Sequence, residues 1–328
     1  MDLLILSSFL GLDIMKSVVL SWSNANKEPL ERPSDFNVIF LKDVISLIIS
    51  AVYATVILRK SLLWTLQSSA DLAFQHLPSA FIVVLSQNAA FTALQFLDIG
   101  TFKLLLQGCT PLTVVFSIVF LKQGFRKRQM YAILANVLFS ILFYLFKNNG
   151  IPDSHASSFG RGIAYSLAVT MLSSLGGVVS ERVLKTGSSS IIMQLFSSRL
   201  ALVAASTIMY IPMRTLNDEN GSFLQYFDSR TSVVILQYTA SSFLTTIMIT
   251  RLSTTAKAIT QAASAAIAQI ATMVSTEWMH NSVHAVAASN TNPIVTLCAI
   301  GILYSVYSFH TDSAPELSQE PQLGTDKI

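Results

Sequence analysis

The sequence predicts an all-α, polytopic membrane protein with ten transmembrane helices, arranged as two inverted five-helix repeats. Three observations lead there. Of the 328 residues, 52% are hydrophobic and only 12% are charged, with a mean hydropathy of +0.56; a soluble domain carries about a quarter charged residues. Apolar windows of about 20 residues, the length that crosses a bilayer, recur along the chain. One short polar pattern, Lys-x-x-x-Gln, opens two of these windows, at Lys103–Gln107 and Lys257–Gln261, an offset of 154 residues.

The first span is Leu3–Trp22, and it does not read as a signal peptide, because no basic segment precedes it and Asp13 and Lys16 interrupt it. The polar stretch SNANKEPLERPSD separates it from the second span, Phe36–Leu58, which ends at Arg59-Lys60. An amphipathic connector, Ser61 to His76, leads to Pro78. The third and fourth spans form a hairpin within Ser86–Lys122, where Asp98 and Gly100 make a polar break too short for anything but a tight turn. The fifth span, Gln129–Phe146, follows the basic link KQGFRKR. The linker KNNGIPDSHASSFGR then divides the chain into five-helix repeats over residues 1–150 and 151–310. The sixth span runs from Gly162 to about Val179, with helix continuing through Lys185; the seventh is Ile191–Met213. The eighth is Ser232–Ile249, the ninth Thr254–Trp278 and the tenth Pro293–His310. The polar, acidic tail, residues 311–328, is expected to be disordered.

Composition also excludes several functions. A net charge of +3 is too small to argue for nucleic acid, and Cys109 and Cys298 lie in apolar runs, as buried thiols rather than a disulfide framework. No Gly-rich phosphate loop and no Ser-His-Asp set is present; His280 and His284 are spaced i,i+4 but lack a third metal ligand. No cofactor and no enzyme are expected.

Orientation follows from basic residues in the links. With the N-terminus in the cytosol, the cytosolic links hold Arg59, Lys60, Lys122, Arg126, Lys127, Arg128, Arg182, Lys185 and Arg251. The lumenal links hold fewer: Lys27, Arg32, Lys147, Arg161, Arg214 and Arg230. The lone N-x-S/T sequon, at Asn220, falls on the lumenal side. Both termini are therefore expected to be cytosolic.

Function is sought where polar groups stand in apolar spans. A charge at the bilayer centre costs roughly 2.5–3.5 kcal/mol on insertion scales, so such groups face a cavity, a partner or the interface. Gln87, Asn88, Lys103 and Gln107 stand in the hairpin. Lys103 has two readings, snorkelling toward the Asp98 turn or facing a cavity. Five spans separate the two Lys-x-x-x-Gln pairs, an odd number, which inverts the second copy in the membrane; inverted repeats meeting at a midplane site are a transporter signature. The ninth span, AASAAIAQIATMVST, is rich in small residues that let helices approach closely. Arg199 sits mid-span, where its guanidinium either grips phosphate oxygens in pairs or ion-pairs with Asp13, Asp43 or Glu181.

These residues resemble a family. Gln87, Asn88, Ala90, Phe91, Ala93, Leu94, Leu97 and Asp98 match the third-span pattern of the Golgi nucleotide-sugar transporters, in the branch for CMP-sialic acid, UDP-galactose and UDP-N-acetylglucosamine within the drug/metabolite transporter superfamily. Gln107 matches the Gln of that branch's fourth-span Tyr-Gln-x-Lys. Ser173, Ser174, Gly177, Glu181, Leu184, Lys185 and Gln194 match its sixth span and the link after it. The departures are as specific: Leu106 replaces the Tyr, Cys109 the fourth-span lysine, Gln261 the ninth-span lysine, and Leu195 an Asn. Lys103, Lys257 and Arg199 are the cations that could stand in.

The resemblance implies a secondary antiporter in the Golgi membrane, or alternatively the ER membrane. It would move a pyrimidine nucleotide sugar into the lumen in exchange for nucleoside monophosphate. The expected substrate-binding residues are Gln87, Asn88, Lys103, Gln107, Arg199, Lys257 and Gln261, with Tyr165 as a stacking or hydrogen-bonding wall. The expected partners are these two ligands, the bilayer and a second copy of the chain as a homodimer. The alternatives are a carrier of another phosphorylated metabolite or an amine, and a membrane scaffold that has lost transport.

Overall fold

The computed structural model describes residues 2–24, 35–97, 102, 105–147, 156–186, 190–216, 229–264, 267 and 293–311. The Asp98–Gly100 break, Lys103, the halfway linker, the Asn220 sequon, His280, His284 and the tail lie outside the described residues. Among the described residues the regular structure is all helix. The helices are α1 (Asp2–Asn24), α2 (Asp35–Leu58), α3 (Leu62–Phe96), α4 (Cys109–Leu121) and α5 (Lys127–Lys147). They continue as α6 (Ala156–Thr186), α7 (Ile191–Leu216), α8 (Ser229–Arg251), α9 (residues 254–264) and α10 (Pro293–Thr311). Segments of α2, α3, α6, α7 and α8 are each long and apolar enough to cross a membrane, and shorter apolar stretches lie in α1, α4 and α10. The chain is a polytopic helical membrane protein.

Burial follows the bilayer rather than water. Val52 and Val56 on α2, Leu134 and Leu138 on α5, and Tyr304 and Tyr307 on α10 are exposed, while Ser69, Ser166, Thr170, Ser174, Ser197 and Ser206 are buried. Small hydroxyl residues let backbones close up, and apolar ones meet acyl chains. Gly301 of α10 shows how close: a Cβ there would stand 2.7 Å from the Phe139 ring of α5. Asn136 of α5 donates to Ser305 Oγ of α10 at 3.1 Å.

Two expectations about the spans change. The stretch Ser61–His76 is no separate connector; it is the first part of α3, a single helix of 35 residues. At a rise of 1.5 Å per residue α3 is about 52 Å long, well beyond a hydrocarbon core of about 30 Å. Pro78 lies inside it and removes one ladder bond. The helix runs on because one buried stripe, Thr65, Ser69, Ala73, His76, Ala80 and Val84, continues straight past the proline. That stripe is the i, i+4 face along which α6 and α7 pack. Ser61 starts the helix by accepting from the Trp64 N–H at 3.3 Å.

The second change is in the fourth span, which is broken. Phe102, Leu105 and Leu106 are helical, Gln107 and Gly108 form a turn, and α4 starts afresh at Cys109. Pro111 accounts for the break. It has no N–H for the carbonyl of Gln107, which instead accepts from Thr110 N at 3.2 Å. Gly108 is needed for space, since a Cβ there would lie 3.2 Å from both the Leu105 carbonyl and Thr170 Cγ2. The eighth and ninth spans are separated where expected, between Ile249 and Thr254: α8 ends at Arg251, and Ser253 Oγ caps α9 by accepting from Ala256 N at 3.0 Å.

Helices distant in sequence pair closely. α3 packs on α6 and α7, α1 and α2 on α8, α2 on α7, α5 on α10, and α4 on α6. Asp13 of α1 accepts a hydrogen bond from Ser264 of α9.

Candidate functional site

Two buried cations reach from one helix to the next. On α2, Lys42 is only 4% exposed; its Nζ donates to Gln87 Oε1 of α3 at 3.2 Å. On α7, Arg199 is 3% exposed; one of its terminal nitrogens donates to the Ser242 carbonyl at 2.6 Å and to Thr246 Oγ1 at 2.7 Å, both on α8. The guanidinium also lies 5.0 Å from the centre of the Phe243 ring. Lys42 is the eighth residue of α2 and Arg199 the ninth of α7, so the two enter their helices to about the same depth.

Their counter-charges differ. Lys42 Nζ is 2.9 Å from Asp43 Oδ1, an ion contact that lacks hydrogen-bond alignment. The other oxygen of Asp43 accepts from Ser206 Oγ of α7 at 2.8 Å. Arg199 makes no ion pair among the described residues, although the Asp43 charge reaches it at longer range. Its Nε is buried without a hydrogen-bond partner, as are His76 Nε2 on α3 and Ser242 Oγ on α8. The ion-pair reading of Arg199 is therefore overturned, because each carboxylate proposed for it is engaged elsewhere. Asp13 holds Ser264, Asp43 pairs with Lys42, and Glu181 pairs with Lys185.

The broken α4 is stitched to α6. Thr170 Oγ1 reaches the Leu105 carbonyl at 3.4 Å, and Ser174 Oγ donates to the Cys109 carbonyl at 3.1 Å. Each hydroxyl also bonds a carbonyl one turn back on α6, Thr170 that of Ser166 at 2.7 Å and Ser174 that of Thr170 at 2.8 Å, and the Leu105 carbonyl also accepts from Gly108 N at 3.1 Å. Cys109 Sγ lies 3.6 Å from the Thr170 carbonyl, and Lys257 of α9 acts on that thiol electrostatically. Lys257 and Gln261 are half-buried. Gln107 is buried in the turn itself, so it does not stand on a continuous helix face.

The remaining expected residues have local roles. Asn88 spends its amide on the Val84 carbonyl of its own helix at 2.9 Å. Thr92 and Phe96 follow Asn88 on the same face, and with Arg161, Ala164, Tyr165 and Ala168 of α6 they line an open groove of about 520 Å³. Tyr165 stacks on Phe96 there, with centroids 6.3 Å apart and planes 6° from parallel. This groove is separate from the cation clamps.

One end of the bundle is latched. Glu181 is fully buried and accepts from Gln123 Nε2 at 2.9 Å, Lys185 Nζ at 2.6 Å and Thr254 N at 2.8 Å. Lys185 also donates to the Leu252 carbonyl at 3.0 Å. Gly177 permits the close approach, because a Cβ there would stand 2.5 Å from Thr254 Cγ2. The chain just after α4, the end of α6 and the α8–α9 turn are thereby tied together. Among the described residues no group of His, Cys, Asp or Glu could hold a metal.

Two buried cations inside a polytopic helical bundle, one of them held by neutral acceptors alone, suit an anionic cargo in a membrane. The model of one family, described as nucleotide-sugar transporter, matches residues 18–300. The chain belongs to the nucleotide-sugar transporter family. This is a family of transporters, not enzymes, so the cargo is a nucleotide sugar and the bundle is membrane-embedded. No curated protein matches the chain. A solved structure, described only as a crystal structure of a protein, superposes with a TM-score of 0.68 over 97% of this chain and 99% of its own, at 13% identity. At that identity it supports the fold alone.

Within this transporter the sequence reading missed Lys42. The signal was available: a lysine beside an aspartate in the middle of an apolar run is a pair that only a partner helix can house. His76 was missed because it fell in a stretch read as a connector.

Proposed function

We propose that this transporter exchanges a pyrimidine nucleotide sugar for nucleoside monophosphate across the Golgi membrane. The exchange would run through two inverted five-helix halves, residues 1–150 and 151–310. The observation that carries the reading is Arg199, a buried guanidinium held by neutral acceptors, whose Nε has no hydrogen-bond partner. A net positive charge in such a place suits phosphate and repels an amine cargo.

The helix pairings support the halves. Raising both helix numbers by five, and counting past ten from one again, turns α3–α6 into α8–α1, α3–α7 into α8–α2, and α2–α3 into α7–α8; all six are observed. The pairs α5–α10 and α2–α7 map onto themselves. The α4–α6 packing corresponds to α9–α1, which Ser264 and Asp13 join. The cation clamps obey the same shift, Lys42 reaching from α2 to α3 and Arg199 from α7 to α8. An odd number of helices per half makes the second copy inverted, so the clamps lie on opposite sides of the midplane. With the N-terminus cytosolic, the Glu181 latch closes the cytosolic end.

Exchange follows from charge. A basic chamber is costly to close empty, so a return stroke that carries an anion is favoured over an empty one. The test is uptake of a panel of radiolabelled nucleotide sugars into proteoliposomes preloaded with UMP, CMP or GMP. Stimulation by UMP or CMP on the far side, with GMP inert, is expected. Stimulation by none of the three would sink the exchanger, and stimulation by GMP alone would sink the pyrimidine assignment.

A further inference from the structure

Lys42 and Asp43 are consecutive residues on α2, yet both are turned inward and both are almost fully buried. Ideal helix geometry sets neighbours about 100° apart, so this pair does not arise from ordinary surface patterning. Their hydrogen bonds to other helices point in different directions. Lys42 is anchored to Gln87 on α3, and Asp43 to Ser206 on α7. The contact between them, at 2.9 Å but without hydrogen-bond alignment, is the one that can open while each keeps its anchor. The corresponding cation of the other half, Arg199, has no carboxylate of its own and feels that of Asp43 from a distance. One carboxylate thus serves two buried cations.

We propose that Asp43 is a resident counter-anion, and that the phosphate of the cargo displaces it from Lys42. This rests on the anion-carrier reading above and adds to it a binding residue, Lys42, and a competitor for that residue, Asp43. In the empty protein Asp43 neutralises Lys42 and tempers Arg199. When a phosphate arrives, Lys42 turns from the carboxylate to the phosphate oxygens, and Asp43 stays on Ser206. The empty carrier is then never left with two bare cations, so it returns without cargo at a measurable rate. Exchange is preferred but not obligatory. The apparent affinity for an anion is also lower than the cations alone would give, because the cargo must outcompete a carboxylate already in place.

The test uses the full chain in detergent, with inorganic pyrophosphate as probe and protection from thermal unfolding as readout. Asp43→Asn keeps an acceptor for Ser206 and removes the competitor, and it should lower the half-protecting pyrophosphate concentration roughly ten-fold or more, the scale on which one close opposite charge shifts an ionic equilibrium. Lys42→Gln should raise that concentration, and in that background Asp43→Asn should gain clearly less than it does in the parent, because the cation it competes for is gone. An Asp43→Asn protein that binds pyrophosphate no better than the parent overturns the proposal, as does silence of both toward pyrophosphate. Should Asp43→Asn not fold, Asp43→Ser takes its place, and an Asp43→Ser protein that binds pyrophosphate no better than the parent overturns the proposal. In proteoliposomes the ratio of exchange to net uptake should rise in Asp43→Asn. If pyrophosphate follows the predicted order while no nucleotide sugar is exchanged, the cargo assignment falls and the counter-anion stands. If nucleotide sugars are exchanged but the pyrophosphate order is absent, the reverse holds.

Discussion

Replacing Arg199 with glutamine separates a binding cation from a structural one. Burying a guanidinium without an ion-pair partner costs several kcal/mol. Against this stand two charge-assisted hydrogen bonds at 2.6 and 2.7 Å, worth roughly 1.5–3 kcal/mol each. The contact with Phe243 adds roughly 1–2 kcal/mol. The terms nearly cancel, and glutamine keeps a donor for Ser242 or Thr246. The folding balance should therefore move by no more than about 2 kcal/mol, a shift in Tm within about 4 °C. Binding has no such compensation. Losing one charged phosphate contact, at roughly 1.5–3 kcal/mol, raises the half-saturating nucleotide-sugar concentration about 10- to 100-fold. Thermal unfolding of the purified protein and uptake into preloaded proteoliposomes read the two effects separately. A variant that unfolds far below the parent while transporting normally per folded molecule would make Arg199 a packing residue and remove the basis of the carrier reading.

Three further outcomes are expected. Glu181→Gln turns one acceptor of the latch into a donor facing other donors; it should cost about 2–4 kcal/mol and lower Tm by about 4–8 °C, and an unchanged melt would show that the latch is not under load. Gly301→Val should drive α10 off the Phe139 ring at a cost of roughly 1–3 kcal/mol; Phe139→Leu should restore part of the lost Tm, and failure of that rescue would place the strain elsewhere. Cys109, half-buried, should react with a small thiol reagent faster than the buried Cys298, because access limits both; a nucleotide sugar should slow the reaction in a Cys298→Ala background, and mass spectrometry of the labelled protein would expose the opposite order.

The spans were legible in the sequence wherever hydropathy alone decides. α2 and α7 begin within a residue of their apolar windows, and the Arg251–Ser253 break lies where charge and Ser interrupt one. What escaped depends on neighbours. The first half of α3 looks amphipathic because its inward stripe is Thr65, Ser69 and His76, polar residues that face other helices rather than water. The break at Gln107 is written in Gly108 and Pro111, but an apolar average over 20 residues does not register it. The candidate site was legible in part. Arg199 stood out because an isolated charge in an apolar run is conspicuous; Lys42 did not, because Asp43 beside it cancels its charge in any sum along the chain. Only the contacts with Gln87 and Ser206 reveal that the two have different partners.

The stitching of α4 to α6 has a bearing on how the bundle moves. A severed helix is a natural swivel, but here the break is packed tight: Gly108 leaves no room for a side chain against Thr170, and the Thr170 and Ser174 hydroxyls reach across to the Leu105 and Cys109 carbonyls. The two segments must travel as one body, and the relative motion of a transport cycle is left to interfaces without such moorings. A pair of spectroscopic labels on α4 and α6 should keep its separation through the whole cycle, while pairs spanning α2 and α8 change theirs.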